Sequence, residues 1–164
     1  MQEIIVPVDF SSASGTALRF AARLAAESDM QVRVVYPYHS LICRNSYGGT
    51  QDHYLYRLEQ ALTAWTAKQL GALYDAGRLD VRVIETEPGA YLTTASRQPS
   101  VALVVMGRPD RSEGGEGLTE AVECPVVLLP AAYDELAASQ LAGRLCGHSP
   151  RTYRRRSRLP SGLM

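Results

Sequence analysis

Short, wholly apolar runs recur along the chain, and most are followed by a stretch with helical periodicity. Ile4–Phe10 reads Ile-Ile-Val-Pro-Val-Asp-Phe, with four β-branched residues in five positions. Such a run without polar alternation predicts a strand covered on both faces. It stops on Asp9 and passes through Phe10 into Ser11-Ser12-Ala13-Ser14, residue types suited to starting a helix. Ala17, Leu18, Phe20, Ala21, Leu24 and Ala25 then recur at spacings of three and four, with Arg19, Arg23 and Glu27 elsewhere on the cylinder. This predicts an amphipathic helix of about four turns, broken at Ser28-Asp29. Val32–Tyr36 predicts a second strand ending at Pro37, and residues 41–52, with Gly48-Gly49, a loop on the ligand-facing edge. From Asp52 an apolar stripe of Leu55, Leu58, Leu62, Trp65, Leu70 and Leu73 predicts a second helix closed by Ala76-Gly77, with Trp65 as a packing anchor. Val81–Ile84 is the third predicted strand. Glu87-Pro88-Gly89 then leads into a short helix near Tyr91–Arg97, which Gln98-Pro99 ends. Val101–Met106 predicts a fourth strand. After it come a loop from Gly107 to Gly117, a brief helix over Leu118–Glu123 and a fifth strand over Pro125–Leu129.

Five apolar strands alternating with four helices predict a three-layer, doubly wound α/β domain around a five-stranded parallel sheet, ending near Pro130. Periodicity leaves open which strands are neighbours. If the winding reverses after the first strand, a crevice lies between the carboxyl ends of strands one and four, where ligands bind in open parallel sheets. That arrangement brings Asp9 towards Gly107, Arg108, Pro109 and Asp110. Asp9 then has two readings, a ligand contact at the switch point or an acid that caps the following helix near Ser11 and Ser12.

Composition narrows the class. With 164 residues and 46% apolar content the chain suits one folded unit, placed at residues 1–130, with a C-terminal extension over 131–164. No run approaches a membrane span, and the N-terminus opens directly on a strand, so a soluble, cytoplasmic protein is expected. Cys43, Cys124 and Cys146 lie far apart, without metal-ligand or disulfide spacing, and read as reduced thiols. The net charge of zero hides an asymmetry: six arginines and no acid fall in the last 21 residues, leaving 11 basic against 17 acidic side chains in residues 1–143. The folded part therefore lacks a basic surface for nucleic acid, and any such contact rests weakly on the charge of Arg154-Arg155-Arg156. The extension holds one helical candidate, Tyr133–Leu145, followed by a segment from Gly147 with little to bury, which reads as disordered.

Catalytic chemistry finds no support. His39, His53 and His148 stand apart from any Gly-x-Ser-x-Gly turn. A phosphoacceptor reading of Asp9 fails because Lys68, the chain's one lysine, lies in the middle of the second helix. Tyr36, Tyr38, Tyr47 and Tyr54 gather around the second strand and its loop, where they read as partly exposed packing or as the wall of an adenine pocket.

Three motifs together resemble the universal stress proteins. They are Ile4-Ile5-Val6-Pro7-Val8-Asp9-Phe10-Ser11, the strand end Val104-Val105-Met106-Gly107, and Gly117-Leu118-Thr119-Glu120 leading to Cys124-Pro125-Val126-Val127. The likeness spans residues 3–130. It implies the adenine nucleotide alpha hydrolase-like strand order 3-2-1-4-5 and a homodimer that pairs the fifth strands, Pro125–Leu129. In the nucleotide-binding branch it also implies a crevice in which the Asp after strand one meets adenine and ribose. The phosphates there lie over a loop of pattern Gly-x2-Gly-x9-Gly-Ser/Thr. Pro7, Asp9, Met106 and Gly107 match this pattern and Gly117 supplies the final glycine, but Asp110 stands in place of the second glycine. The loop is also about three residues short, and Leu118 replaces Ser or Thr. Asp110, Glu113 and Glu116 add charge of the sign that repels phosphate, by several kcal/mol at ~4 Å and an effective dielectric near 20. Arg108 and Arg111 offset part of it. The resemblance thus implies a non-enzymatic, dimeric regulatory or protective module acting through protein partners, with a degenerate nucleotide site and no obligatory cofactor. The alternative is a domain that still binds ATP or another adenine nucleotide between strands 1 and 4.

Overall fold

The structure, a computed structural model, describes residues 1–39, 51–75, 77–108 and 121–130. Residues 41–50 of the loop expected over 41–52, most of the Gly107–Gly117 loop, the start of the Leu118–Glu123 helix and the Tyr133–Leu145 helix lie outside the described residues, and residues 51 and 52 are already helical.

Five strands form one parallel sheet: β1 Glu3–Pro7, β2 Gln31–Tyr38, β3 Leu79–Glu85, β4 Val101–Arg108 and β5 Val126–Pro130, in the order β3-β2-β1-β4-β5. The expected architecture and strand order are therefore observed. β1 is central, and Ile4, Ile5 and Val6 are fully buried, each stabilising the fold by about 1.5–3 kcal/mol relative to an exposed position. Alternation along the strands sorts the side chains into two cores. Ile4, Val6, Val32, Val34, Val105 and Leu129 pack with helices α1 (Ser12–Ser28) and α2 (Gln51–Leu70). Ile5, Val35, Val101 and Val104 pack on the opposite face with Leu92 and Ala95 of helix α3 (Pro88–Ala95). Helices on both faces make the three layers.

α1 begins where the serines predict. Ser11 is its N-cap, in extended conformation, and its Oγ accepts the Ser14 N–H at 3.1 Å. It ends at Asp29, whose backbone is left-handed with φ of 53° and whose N–H bonds to Ala25 O. Small side chains let this helix lie close to the sheet, and residues Ala13 to Leu18 are buried in an unbroken row.

Several strand and helix limits differ from expectation, for identifiable reasons. β1 stops at Pro7, short of Asp9, and β2 continues through Pro37 to Tyr38. On β1, Glu3 N–H bonds to Ser100 O next to β4, whereas Val8 N–H bonds to Val35 O of β2, so odd positions face β4 and even positions face β2. Pro7 therefore lacks its donor on the β4 side, and the β1–β4 ladder ends at Ile5 opposite Val104. On β2, Gln31 N–H bonds towards β1 and Val32 N–H towards β3. The missing donor of Pro37 thus falls on the β1 side, while pairing with β3 runs on to Tyr38 opposite Glu85. α3 starts at Pro88 rather than near Tyr91, with proline at its first helical position, where no N–H partner is required. Ala121–Glu123 are not helical, and β5 is shifted one residue from the expected Pro125–Leu129.

Candidate functional site

The two prolines define the place where the sheet opens. Past Ile5 the central strand loses its ladder to β4, and past Val8 it loses its ladder to β2. A notch results at the carboxyl end of β1, between β2 and β4, with Asp9 at its start. This is the switch point of a sheet wound in two directions.

From Asp9 the chain makes a hydrogen-bonded turn into α1. Asp9 Oδ1 accepts the Ser11 N–H at 3.0 Å, and Ser14 Oγ accepts the Asp9 N–H at 3.5 Å while donating to Ser11 O at 3.0 Å. Burial pushes the Asp9 carboxyl up, but hydrogen bonds from Ser11, Ser14 and the local backbone outweigh it and hold the group below its ordinary value. Asp9 is nevertheless exposed, so the notch carries an ionised, oriented acceptor. The cap of α1 is Ser11 rather than Asp9, whose carboxylate instead bonds the N–H of Ser11 in the turn that precedes the helix.

Gly107, at the end of β4, meets α1 backbone to backbone. A Cβ on Gly107 would lie 2.3 Å from Ala13 C, 2.5 Å from Ala13 O and 2.6 Å from Ser14 N. The glycine is therefore required by close approach. Because Ser14 is also the residue that holds the Asp9 turn, the structure joins Asp9 and Gly107 through one helical turn. Met106 is half-buried against the second core, Pro7 is half-buried beside Val35, and Arg108 is exposed. Gly117 and Asp110 lie outside the described residues.

Phe10, between Asp9 and the N-cap, has a φ of 63°, a left-handed conformation that bulky residues rarely adopt. Its ring lies 4.9 Å from that of Tyr36 on β2 and 5.5 Å, edge to face, from that of Trp65 on α2. Trp65 is thus the packing anchor expected from its phase with the leucines. The dihedral and the three-ring cluster were missed by sequence reasoning. The only available signal was a phenylalanine where a tight turn favours glycine.

Beside the notch, at the carboxyl ends of β2 and β3, a cavity of about 360 Å³ is lined by Tyr36, Pro37, Tyr38, His39, Tyr54, Thr86, Glu87 and Pro88. Three of the four tyrosines grouped by sequence meet here, and Tyr47 lies outside the described residues. His39 Nε2 stands 3.5 Å from Glu87 Oε1, and Tyr38 donates to Glu85 Oε2 at 3.3 Å. Among the described residues no group of three His, Cys, Asp or Glu side chains is placed to hold a metal ion. Cys124 is a free thiol pushed up by burial, which keeps it in the unreactive protonated form.

The model of the universal stress protein family matches residues 1–130. The chain belongs to the universal stress protein family. Solved structures of universal stress proteins share the fold at low identity. A family member from Burkholderia pseudomallei is 24% identical, with 79% of this chain and 96% of that one covered and a TM-score of 0.54. The universal stress protein of Archaeoglobus fulgidus in complex with dAMP is 19% identical, with 78% and 97% covered and a TM-score of 0.59. An Arabidopsis thaliana family member with AMP bound is 12% identical, with 82% and 95% covered and a TM-score of 0.57. At these identities the likeness is one of fold. No curated protein matches the chain. Two of the universal stress protein motifs, Pro7-Val8-Asp9 and Met106-Gly107, supply the strand ends flanking the notch. No helix among the described residues is long and apolar enough to cross a membrane.

Proposed function

We propose that this chain is a non-catalytic, cytoplasmic regulatory or protective module, built from a domain over residues 1–130 with an extension over 131–164, which works as a homodimer through protein partners. The observation that carries the reading is how the motif residues are used. Gly107 is occupied by the backbone of α1, and Asp9 Oδ1 takes up an N–H of its own turn. Both serve the scaffold of the notch, so their presence does not by itself require a bound phosphate. Asp110, in place of a phosphate-loop glycine, weakens that half of the site further. The buried Leu129 and the exposed Leu128 make β5 an apolar edge, whereas the other edge, β3, carries Asp80 and Arg82. Charged edges resist strand addition and apolar ones invite it, which supports β5 as the dimer edge.

A second reading, adenine-nucleotide binding with ATP as the ligand and Pro7, Asp9, Met106, Gly107 and Gly117 as the contacts, is favoured by one specific observation. The exposed Asp9 carboxylate is ionised and oriented at the switch point, as a ribose hydroxyl requires, and similar folds hold dAMP and AMP. Isothermal titration with ATP and Mg²⁺ separates the two readings. The first predicts no binding at micromolar strength. Micromolar binding abolished by Asp9→Ala establishes the second.

A further inference from the structure

We infer that Phe10 is a positioning residue for the notch: its ring, clamped between Tyr36 and Trp65, holds the backbone in the left-handed conformation that sets the Asp9 carboxylate. This deepens the crevice reading and rests on it for any consequence in ligand affinity. A turn that needs a φ of 63° is met with least strain by glycine, because any Cβ crowds the neighbouring backbone there. A phenylalanine in that place needs a compensating contact, and the structure shows two, at 4.9 Å to Tyr36 and 5.5 Å to Trp65. The rings belong to three separate elements: the loop after β1, the strand β2 and the helix α2. They therefore tie residue 10 to β2, which flanks the notch, and to α2, which packs on the same face of the sheet as α1.

The consequence falls on the adjacent residue. With residue 10 turned in this way, the Ser11 N–H returns to Asp9 Oδ1 at 3.0 Å, while Ser14 Oγ receives the Asp9 N–H. On this proposal, relaxation of residue 10 to the ordinary right-handed or extended region is expected to open that hydrogen bond and free the carboxylate to swing. The ring and the dihedral are thus separable contributions, and two substitutions separate them. Phe10→Ala removes the clamp and leaves a residue that avoids a positive φ. Phe10→Gly removes the clamp equally but adopts a positive φ without penalty.

The test uses the full chain and follows the Asp9 carboxyl by carbon-detected NMR across an acid titration, with thermal denaturation of each variant alongside. In the parent protein the carboxyl is expected to titrate below the ordinary value, because the Ser11 and Ser14 hydrogen bonds favour its charged form. Phe10→Ala is expected to return it to the ordinary range, and Phe10→Gly to keep it low, although both lose comparable stability. A role in packing alone predicts equal titrations in the two variants, and that result overturns the proposal, as does an unchanged titration in Phe10→Ala. If Phe10→Ala does not fold, Tyr36→Leu, which removes one side of the clamp, is expected to raise the Asp9 midpoint, and an unmoved midpoint overturns the proposal. In parallel, ATP with Mg²⁺ is titrated into parent, Ala and Gly proteins. Where the parent binds, Phe10→Ala is expected to weaken binding about tenfold or more and Phe10→Gly to restore most of it. A parent that does not bind defeats the nucleotide reading alone, because the carboxyl titration needs no ligand and still decides the role of Phe10.

Discussion

At the scale of single residues, the notch depends on two positions where one atom decides. Gly107 tolerates no Cβ, because the atoms it would strike belong to the backbone of Ala13 and Ser14 and have no rotamer by which to yield. Gly107→Ala is therefore expected to destabilise the fold by about 1–3 kcal/mol through overpacking, measured by urea denaturation. Loss on that scale with an unchanged denaturant slope would place the effect in the native state. Asp9 makes a prediction about pH. Its folded carboxyl lies below the ordinary value of 3.8, so the charged form is favoured by folding. Its contribution to stability is thus fully present above that value and is lost as pH falls through the depressed one. Asp9→Asn lacks this term. The stability gap between parent and variant is expected to be constant near neutrality and to narrow in acid below about pH 4, as followed by denaturation at stepped pH. A gap that widens in acid would contradict the hydrogen-bonded turn. Legibility at this scale was mixed. The acidic residue after a β-branched run announced Asp9, and the serines announced the helix start. Nothing local announced that Phe10 would meet Trp65, 55 positions later in the chain, because such contacts arise only when β2 and α2 have packed.

At the scale of elements, α1 links the two flanks of the notch, and its start is the most consequential cap in the described chain. Ser11 Oγ accepts the Ser14 N–H, and Ser14 in turn braces Asp9 and lies under Gly107. Ser11→Ala is expected to cost about 1 kcal/mol for the lost cap, measured by chemical denaturation, whereas Ser11→Asp, which also accepts an N–H there, is expected to retain most of the stability. Element types were legible because each strand is short and β-branched and each helix keeps a leucine or alanine stripe. Their limits were less so, and proline is the reason. In isolation Pro37 reads as a stop, since it has no N–H to give. In the sheet the side on which the missing donor falls decides the matter: Pro37 ends pairing with β1 and leaves pairing with β3 intact. Pro7 does the same towards β4. Parity within a ladder depends on the neighbouring strand, so no reading of one strand alone could assign it. The same two residues that blurred the predicted limits are the ones that open the sheet beside Asp9.

At the scale of the molecule, strand order was the quantity that periodicity left open, since five apolar runs with helices between them fit several windings. The motifs supplied it through the family resemblance, and the observed order β3-β2-β1-β4-β5 puts the first and fourth strands side by side. The same order leaves β3 and β5 at the edges, and the two edges differ in chemistry. On β3, Asp80 bonds Arg33 of β2 and Arg82, at 3.2 and 2.8 Å, so this edge is bound up with charge. β5 reads Val-Val-Leu-Leu-Pro, and Leu128 is 45% exposed, an unusual position for a large apolar side chain on a strand otherwise packed on both faces. Pairing two copies along β5 would cover Leu128 and satisfy the outer row of backbone groups at once, with Pro130 limiting the length of the shared ladder. Leu128→Lys places a solvated charge on that row without touching either core. It is expected to convert a dimer of twice the chain mass into a monomer at micromolar concentration, read by light scattering after size exclusion. Because Leu128 is largely outside the cores, the monomer is expected to keep its far-UV circular dichroism. A variant that stays dimeric would move the interface elsewhere, and a parent that runs as a monomer would leave the β5 edge to a partner of different sequence.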